Sequence, residues 1–384
     1  MKSEHGGDLW KYEEDMRSAV LDFSANISPL GMPEGVRQAV IRSLEHADIY
    51  PDPFCRKLRE KLSEKHGIPA DRIVCGNGAA DLIYRICAAV AQRKRRKAPF
   101  ESVGADNATG NDDVQAIGRA LVTAPSFSEY ANALVLQGFA VDHFVLRPET
   151  GFLVTEDILH AIAPGTDLVF LGQPNNPAGR TIPRELLLKI LDRCTECGAL
   201  LVLDECFTEF LDEPEAFSLL HLLQKGAHPP FGHLSLVLLR SFTKLYGMAG
   251  LRLGYAICAD RIPADEIYSA GAPWSVSSAA QAAGLAALQE DKYVERLRGI
   301  IKEERHRLTA GLVESGLTVV PGEANYLLFH TADTELGAVL ERRGILLRDC
   351  RNYRGLGPGW FRTAVRTAEE NQRLLQELNH YMYR

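Results

Sequence analysis

The stretch that decides the fold runs from Leu234 to Gly254 and reads LSLVLLRSFTKLYGMAGLRLG. It begins with an apolar run of strand length, Leu234–Leu239, and continues into a loop that holds hydroxyls, a lysine, an arginine and several glycines. A continuous apolar run indicates a strand that is covered on both faces, because successive side chains point to opposite sides. The sequence therefore predicts a buried strand whose carboxyl end carries a polar, flexible loop.

Four more apolar runs of strand length precede this one, and helix-like segments lie between several of them. The runs are Arg72–Cys75, Ala120–Thr123, Asp167–Leu171 and Ala199–Leu203. Among the intervening segments, Pro183–Cys194 has apolar residues at helical spacing. Alternating apolar strands and helices are typical of an α/β domain with a mostly parallel central sheet. Such sheets bind ligands beyond the carboxyl ends of their strands.

The length of the chain predicts two structural units. It has 384 residues, and a domain usually holds roughly 100–200. We place a large domain at 46–276, with a polar insertion at 93–113 that begins with the basic run RKRRK. The remaining segments, 1–45 and 277–384, are expected to form a smaller α+β domain that opens with a long helical stretch at Ser277–Glu314. We interpret the insertion as a solvated surface segment.

Composition and charge disfavour several classes of function. The apolar residues AVILMFWYC make up 46% of the chain, as in ordinary folded proteins, and the net charge is −7. A general affinity for nucleic acid or anionic membranes is therefore not expected. The N-terminal MKSEHGGDLWKYEED lacks the apolar core of a signal peptide, and no run approaches the roughly 18–20 apolar residues of a membrane span. We expect a cytoplasmic protein.

The eight cysteines predict no metal centre. Cys194 and Cys197 form a CxxC pair, but no second pair follows at zinc-finger spacing. Because the pair ends a predicted helix, we interpret these residues as two buried or half-buried thiols, with a zinc or redox site as the alternative.

Chemically distinct groups follow the predicted strands at the points where the strands end. Gly78 and Ala79 lie in a strand-to-helix turn of small residues that suits a phosphate. Phe127 offers an aromatic face to a planar ring. Asn176 lies in a loop fixed by prolines and glycines, and Asp204 is a carboxylate that needs a partner at the end of an apolar strand. Each of these features alone also has a purely structural explanation.

Lys244 completes the set of groups at this sheet edge. The common ligand would be a planar, phosphorylated, basic heteroaromatic aldehyde, and pyridoxal 5′-phosphate (PLP) fits each group. A lysine forms a Schiff base with an aldehyde. A carboxylate keeps the pyridine nitrogen protonated, so that the ring can accept electrons. The sequence therefore predicts PLP as the cofactor.

The chain resembles the fold-type I PLP-dependent enzymes, the class I/II aminotransferase superfamily, along essentially its whole length. The motifs SFTKLYGMAGLRLGY, QPNNPAG and VLDE carry this resemblance. It implies a PLP-dependent transferase-like α/β fold in which Lys244 binds the cofactor covalently and Asp204 pairs with the pyridinium nitrogen. It also implies that Asn176 bonds to the ring 3′-oxygen and that Phe127 stacks on the ring. The residues implied to hold the cofactor phosphate are Gly78, Ala79, Ser241 and Arg252.

The resemblance also implies contacts with a substrate and with a second copy of the chain. Tyr50, in IYPDP, resembles the tyrosine that reaches the phosphate of the neighbouring subunit, so a homodimer with shared active sites is expected. Arg362, in WFRTAVR, resembles the arginine that clamps the substrate α-carboxylate, a task that suits a bidentate guanidinium. Further candidates for substrate binding are Asn26, Gly31, Arg348 and Arg354, the last of which we favour as a surface residue.

Two subfamilies are compatible with these motifs, threonine-phosphate decarboxylase and histidinol-phosphate aminotransferase. LDFSANISPLG, DECF, APWSVSSAAQAA and LRDCRNYRGLG look more like the decarboxylase. We therefore expect PLP-dependent decarboxylation of L-threonine O-3-phosphate to (R)-1-aminopropan-2-yl phosphate in cobalamin biosynthesis. Histidinol-phosphate or another amino acid aminotransferase is the alternative. Phe207 stands where many relatives have a tyrosine, which removes one donor to the 3′-oxygen.

Two interpretations from other classes are disfavoured. A non-catalytic PLP-binding regulator usually carries a DNA-binding domain, and the residues before Asp22 are too few for a winged helix. A nucleotide-binding dehydrogenase would need a GxGxxG motif after an early strand, and the sequence has none there.

Overall fold

A computed structural model describes residues 5–17, 19–97, 116–224 and 235–382. Within these residues the strands are β1 (Leu21–Asp22), β2 (Ile73–Gly76), β3 (Gly118–Ala124), β4 (Phe139–Val145), β5 (Thr166–Gly172), β6 (Leu200–Asp204), β7 (Leu236–Ser241), β8 (Gly254–Cys258), β9 (Thr318–Val319), β10 (Tyr326–His330), β11 (Ile345–Leu346), β12 (Arg348–Asp349) and β13 (Trp360–Ala364).

The helices of the same residues lie between and around these strands. They are α1 (Glu14–Arg17), α2 (Glu34–Ser43), α3 (Arg56–His66), α4 (Gly78–Lys97), α5 (Ser128–Leu136), α6 (Ile158–Ala161), α7 (Arg184–Cys197), α8 (Pro214–Phe217), α9 (Phe242–Leu245), α10 (Arg261–Ser269), α11 (Ser278–Ala287), α12 (Asp291–Glu314), α13 (Leu336–Arg342) and α14 (Ala368–Met382). None of these helices has the length and apolar content that a membrane span requires.

A seven-stranded sheet in the order β2-β8-β7-β6-β5-β3-β4 forms the centre of the fold. Strands β3 to β7 are parallel to one another, and β8 runs antiparallel to both of its neighbours. The prediction of a mostly parallel α/β sheet is confirmed. The five predicted runs coincide with β2, β3, β5, β6 and β7. The sequence did not predict β4, an edge strand with polar residues, or β8, which follows the glycine-rich loop directly.

Both faces of this sheet are covered, as the apolar runs require. In β6, Leu201 and Leu203 belong to one apolar cluster and Val202 belongs to the other, because successive side chains point to opposite faces. Helices α3, α7, α11 and α12 contribute to the first cluster, and α4, α5 and α10 contribute to the second. The carboxyl ends of the parallel strands therefore form the polar edge at which a ligand can bind.

Helix α7 illustrates how the sequence sets these layers. Its apolar residues recur three and four positions apart, so they form one buried face. The helix ends at Gly198, whose φ of 71° is left-handed and therefore suits glycine. Cys194 is buried on this helix and Cys197 is half-buried at its end, both as thiols.

A four-stranded antiparallel sheet in the order β12-β13-β10-β9 follows the large sheet, and β1 pairs in parallel with β11. The N-terminal segment thus joins the C-terminal part of the chain. The predicted long helical stretch consists of α11 and α12, separated where the backbone of Glu290 leaves helical values. One apolar cluster includes Phe23, Leu238 and Leu328, so it continues through both proposed domains. The domain boundaries stay a prediction.

The start of the predicted insertion is helical. The sequence analysis began the insertion at residue 93, whereas α4 continues through Lys97. The basic side chains here have partners: Lys94 Nζ lies 2.6 Å from Asp167 Oδ1, and Arg93 Nε lies 3.5 Å from Glu266 Oε2. These ion pairs hold the basic run on the last turns of the helix. Residues 98–113 lie outside the described residues.

A buried ion pair joins the ends of β6 and β7. Arg240 donates to Glu205 Oε2 from Nη2 at 2.7 Å and from Nε at 3.1 Å. Both side chains are buried, and Ser218 Oγ lies 2.9 Å from each oxygen of the Glu205 carboxylate. Arg240 Nη1 also donates to Glu209, which in turn accepts from Arg298 of α12. The pair therefore belongs to a chain of alternating charges that ties the two strand ends to α12.

We expect Arg240→Met to lower the free energy of unfolding by about 3–5 kcal/mol, because it leaves the Glu205 carboxylate buried without its cation. Urea denaturation followed by tryptophan fluorescence measures this loss. Adding Glu205→Leu to the same chain should recover most of the stability, since the uncompensated charge is then gone. Equal instability of the single and double variants would contradict this explanation.

Candidate active site

The carboxyl ends of the central strands bring most of the predicted cofactor residues to one edge. They place Gly78 and Ala79 after β2, Phe127 after β3, Asn176 after β5, Asp204 at the end of β6, and Ser241 and Lys244 at and after β7. This convergence follows from the parallel direction of the strands, which was the basis of the prediction.

Lys244 lies half-buried in the short helix α9, for which Ser241 is the N-cap. Burial lowers the pKa of Lys244 to about 8, and the positive charges of Arg362 and Arg252 act in the same direction. The charge of Asp204 opposes them. All of these side chains are therefore close enough to act on one another. An amine with this pKa is largely neutral just above pH 8 and can act as a nucleophile there.

Two donors hold the Asp204 carboxylate. The Tyr130 hydroxyl donates to Oδ2 at 2.6 Å, and the backbone N–H of Cys206 donates to Oδ1 at 3.0 Å. The Tyr130 ring stacks on Phe170 and meets Phe127 edge-on. The sequence analysis missed Tyr130. Its only signal was an aromatic residue three positions after Phe127, at the spacing that puts two side chains on the same side of a helix.

The turn between β2 and α4 is shaped for an anion. Gly78 has a left-handed φ of 80°, and a Cβ there would lie 2.4 Å from Arg252 Nη2. Glycine thus allows the Arg252 guanidinium to lie over the turn. A Cβ on Gly254 would lie 2.6 Å from the Ala79 nitrogen, and Gly254 is paired with Ser241 across the sheet. The predicted phosphate residues are therefore adjacent, with helix N–H groups and a guanidinium together.

Arg362 of β13 reaches the same edge from the small sheet. It is buried, and it donates to Asn176 Oδ1 from Nη1 and to the Ser24 carbonyl from Nη2 at 2.7 Å. Its Nε is buried and has no hydrogen-bond partner among the described residues, so it can still donate to a carboxylate. Asn176 accepts through its oxygen, which leaves its amide N–H for a ligand. The adjacent Asn175 instead bonds to backbone groups that shape the loop.

The segment that contains Asn26 and Gly31 lies against the Lys244 loop. The Ser28 N–H donates to the Lys244 carbonyl at 2.9 Å, and a Cβ on Gly247 would lie 2.5 Å from the Gly31 carbonyl carbon. Asn26 is buried, and its Oδ1 has no hydrogen-bond partner within the described ranges. This segment is therefore next to the site, and Asn26 offers it an unsatisfied amide oxygen.

The N-terminal segment also reaches the site, which the sequence analysis did not anticipate. His5 Nε2 lies 3.0 Å from Glu129 Oε1, and the His5 ring is 5.6 Å from that of Phe127. Gly6 packs so closely that a Cβ there would lie 2.2 Å from the Ser24 carbonyl oxygen. The available signal was a histidine followed by two glycines in an otherwise polar segment.

Two predicted positions have other surroundings in the single chain. Tyr50 is 79% exposed, with its ring 5.0 Å from that of Trp274, so it is not part of this site within one chain. Phe207 packs edge-on against Tyr326 at 5.0 Å. The Tyr326 hydroxyl donates to the Asn175 carbonyl, so it is already engaged in the loop.

A cavity of about 130 Å³ lies beside Phe127. Arg348 lines it and is paired across the sheet with Arg362. Thr123 is buried at the cavity, and its Oγ1 has no hydrogen-bond partner among the residues that the structure describes. Cationic and hydroxyl groups line the cavity, and none of its described lining residues is acidic. The hydroxyl groups belong to Thr123, Ser126, Ser128 and Tyr353, and the cationic groups belong to Arg348 and Arg354.

Comparison with known proteins places this arrangement in a family. Residues 104–378 match the family described as aminotransferase class I and II, and the chain belongs to it. It is 34% identical to the threonine-phosphate decarboxylase of Salmonella typhimurium over 386 aligned residues, which cover 99% of this chain and 97% of the relative. It is 33% identical to the histidinol-phosphate aminotransferase of Symbiobacterium thermophilum, covering 94% and 90%.

Comparison with solved structures gives a fold of the same family. The histidinol-phosphate aminotransferase of Clostridium acetobutylicum superimposes with a TM-score of 0.80 and 26% identity, covering 95% of this chain and 99% of that one. The expected PLP-dependent transferase-like fold is confirmed. The protein is a PLP-dependent enzyme of the aminotransferase class. Its residues fit the cofactor at one edge of the sheet. Lys244 is a half-buried amine of lowered pKa, two donors hold the Asp204 carboxylate, and the turn at Gly78 leaves room for the Arg252 guanidinium.

We expect the apoprotein to form a borohydride-reducible bond with PLP at a rate that rises with pH to a midpoint near 8, the pKa of Lys244. The sign follows from deprotonation, since only the neutral amine attacks an aldehyde. Mass spectrometry after reduction measures the bond. A midpoint near the ordinary lysine value of 10.5 would contradict the effect of burial. The Lys244→Ala variant should retain no cofactor mass, and a retained mass would contradict the assignment of Lys244.

Proposed function

We propose that the protein decarboxylates L-threonine O-3-phosphate to (R)-1-aminopropan-2-yl phosphate, a reaction of cobalamin biosynthesis. The observation that carries the proposal is the cavity beside Phe127, which has a cationic and hydroxyl lining. It is separate from the turn at Gly78 and Arg252 that suits the cofactor phosphate. The site therefore offers a second place for a phosphate, as a phosphorylated substrate requires.

The charges of the site match a substrate with two anionic groups. Arg362, with its unpartnered buried Nε, suits the α-carboxylate, and Arg348 and Arg354 suit the phosphate. Histidinol phosphate carries a basic imidazole and no carboxylate. The absence of acidic side chains among the described lining residues of the cavity gives an imidazolium no partner there. This complementarity favours threonine phosphate.

The side chains of the site have distinct tasks in such a reaction. PLP, when bound, supplies an electron sink for the electron pair that remains on Cα as carbon dioxide leaves. Asp204 would hold the ring nitrogen and Asn176 the 3′-oxygen. Arg362 would hold the α-carboxylate of the substrate. The position of that carboxylate would set which bond of Cα stands perpendicular to the cofactor ring. Lys244, with a pKa of about 8, can hold a proton at Nζ near neutral pH and deliver it to Cα.

The N-terminal segment contributes to this environment. His5 packs near Phe127, and Gly7 N–H donates to Ser24 Oγ at 2.7 Å, beside the carbonyl that Arg362 binds. The segment therefore packs against one side of the site, next to Phe127 and Ser24.

Histidinol-phosphate aminotransferase is the second candidate. The similarity to such enzymes in sequence and in structure favours it, and its substrate is also a phosphate ester of an amine. The two activities differ in one requirement: transamination consumes a keto acid, whereas decarboxylation does not.

We also propose that the enzyme acts as a homodimer with shared active sites. Tyr50 is largely exposed in the single chain, although its role would require it to approach a cofactor phosphate. Two other exposed apolar side chains adjoin it: Ile49 precedes it in the sequence, and the Trp274 ring lies 5.0 Å from its own. Such a patch is typical of a surface that is covered by a partner, and a second copy of the chain would bring the partner's Tyr50 to this site.

We expect the purified enzyme with PLP to release carbon dioxide from threonine phosphate without any keto acid. Trapping of labelled carbon dioxide measures the product, and chromatography of the amine identifies aminopropanol phosphate. A matched reaction contains histidinol phosphate and 2-oxoglutarate. Turnover that depends on 2-oxoglutarate would support the aminotransferase and contradict the decarboxylase.

We expect Arg354→Gln to raise KM for threonine phosphate about tenfold with little change in kcat, because one charge-assisted hydrogen bond to the phosphate is lost. Steady-state kinetics measure both constants. Arg351→Gln is the matched control, since Arg351 lies in the same loop but pairs with Asp349 at 2.6 Å outside the cavity. Equal effects of the two changes would show that net charge alone is responsible.

A further inference from the structure

Tyr130 is a buried aromatic residue whose hydroxyl donates a hydrogen bond to the Asp204 carboxylate. The proposed reaction assigns no task to Tyr130. Its side chain is only 3% exposed. The Phe170 ring is stacked against it with the ring centroids 5.3 Å apart and an angle of 15°, and the Phe127 ring meets it at 5.7 Å and 85°. Because the ring is fixed on two sides, the hydroxyl has one position, 2.6 Å from Asp204 Oδ2.

The direction of this hydrogen bond is also fixed. Burial raises the pKa of Tyr130 well above its ordinary value, and the negative charge of Asp204 acts in the same direction. The hydroxyl therefore keeps its proton and donates, and the carboxylate accepts. A donor to a carboxylate stabilises its ionised form. The remaining lone pairs of Asp204 are then available to a protonated ring nitrogen.

The same tyrosine connects the two groups that contact opposite parts of the cofactor ring. Its hydroxyl orients the carboxylate for the ring nitrogen, and its edge contact sets the plane of Phe127, the predicted stacking residue. Phe127 and Tyr130 lie at the start of α5, directly after β3, whereas Asp204 ends β6. The contact thus holds together two strand ends that are not neighbours in the sheet.

We infer that Tyr130 is a positioning residue that holds the Asp204 carboxylate aligned for the pyridine nitrogen of PLP. It acts through Asp204 and does not itself react. The inference rests on the cofactor of the family and not on the proposed decarboxylation. The other titratable groups that act on Asp204 or are acted on by it are Lys244, Cys206 and Tyr326. The Tyr130→Phe variant keeps all three of these residues and removes only the Tyr130 hydroxyl.

Tyr130→Phe tests the inference, since it removes the hydroxyl and keeps the ring. We expect the apoprotein to bind PLP at least about tenfold more weakly, because a hydrogen bond to a charged group is lost. Titration of protein fluorescence measures this affinity without substrate. The pH midpoint of the visible absorbance of the bound cofactor should rise, since a poorly aligned Asp204 holds less positive charge on the ring nitrogen. In turnover, kcat should fall and KM should stay within about twofold.

Tyr255→Phe is the matched control. Tyr255 is also buried, and its hydroxyl lies 2.9 Å from His66 Nε2 and also bonds to Arg240, so it contacts the ion pair with Glu205 and not Asp204. Both variants lose one buried hydroxyl, so thermal denaturation should show similar losses of stability. Only Tyr130→Phe should change the cofactor affinity and the absorbance midpoint. The inference is overturned if Tyr130→Phe leaves both readouts at their original values, or if Tyr255→Phe changes them equally.

Discussion

The ion pair between Glu205 and Arg240 fixes the geometry on which the rest of the site depends. Glu205 follows Asp204 directly, and Arg240 precedes Ser241, so the pair joins the two strand ends that carry the carboxylate and the lysine loop. Side chains alternate along a strand. In β7 the side chains of Arg240 and Ser241 therefore leave the strand on opposite faces. A buried pair of this kind gains little net energy, so its main effect here is to fix position.

The chain from Glu205 through Arg240 and Glu209 ends at Arg298 of α12. Arg305, two turns further along α12, donates to the carbonyl of Glu323, just before β10. The helix thus contacts both the large sheet, which carries Lys244, and the small sheet, which carries Arg362. The position of Arg362 relative to Lys244 is therefore set by packing along one helix.

The sequence predicted the parts of this site that depend on strand direction and missed those that depend on packing between distant segments. Lys244, Asp204 and Asn176 follow apolar runs, and parallel strands must bring such residues to one edge. Tyr130 also follows an apolar run, but its partner Asp204 is 74 positions away, and the partner of His5 is 124 positions away, so no local pattern shows either contact. Strand β8 was missed because its apolar run is short and follows the glycine-rich loop directly. The basic run at Arg93–Lys97 continues α4, and the carboxylates that pair with Arg93 and Lys94 come from distant parts of the sequence.

The overall charge of the protein and the charge of its site have opposite signs. The chain carries a net charge of −7, yet the positive charges of Arg362 and Arg252 both act on Lys244 at the sheet edge. Mutual repulsion of these cations is one reason that the pKa of Lys244 falls, so the groups that would bind anions also make the amine a better nucleophile. An anion bound at Arg362 or Arg252 would oppose that repulsion and raise the pKa of Lys244 again, so anion binding and the protonation of the lysine are linked through the same charges.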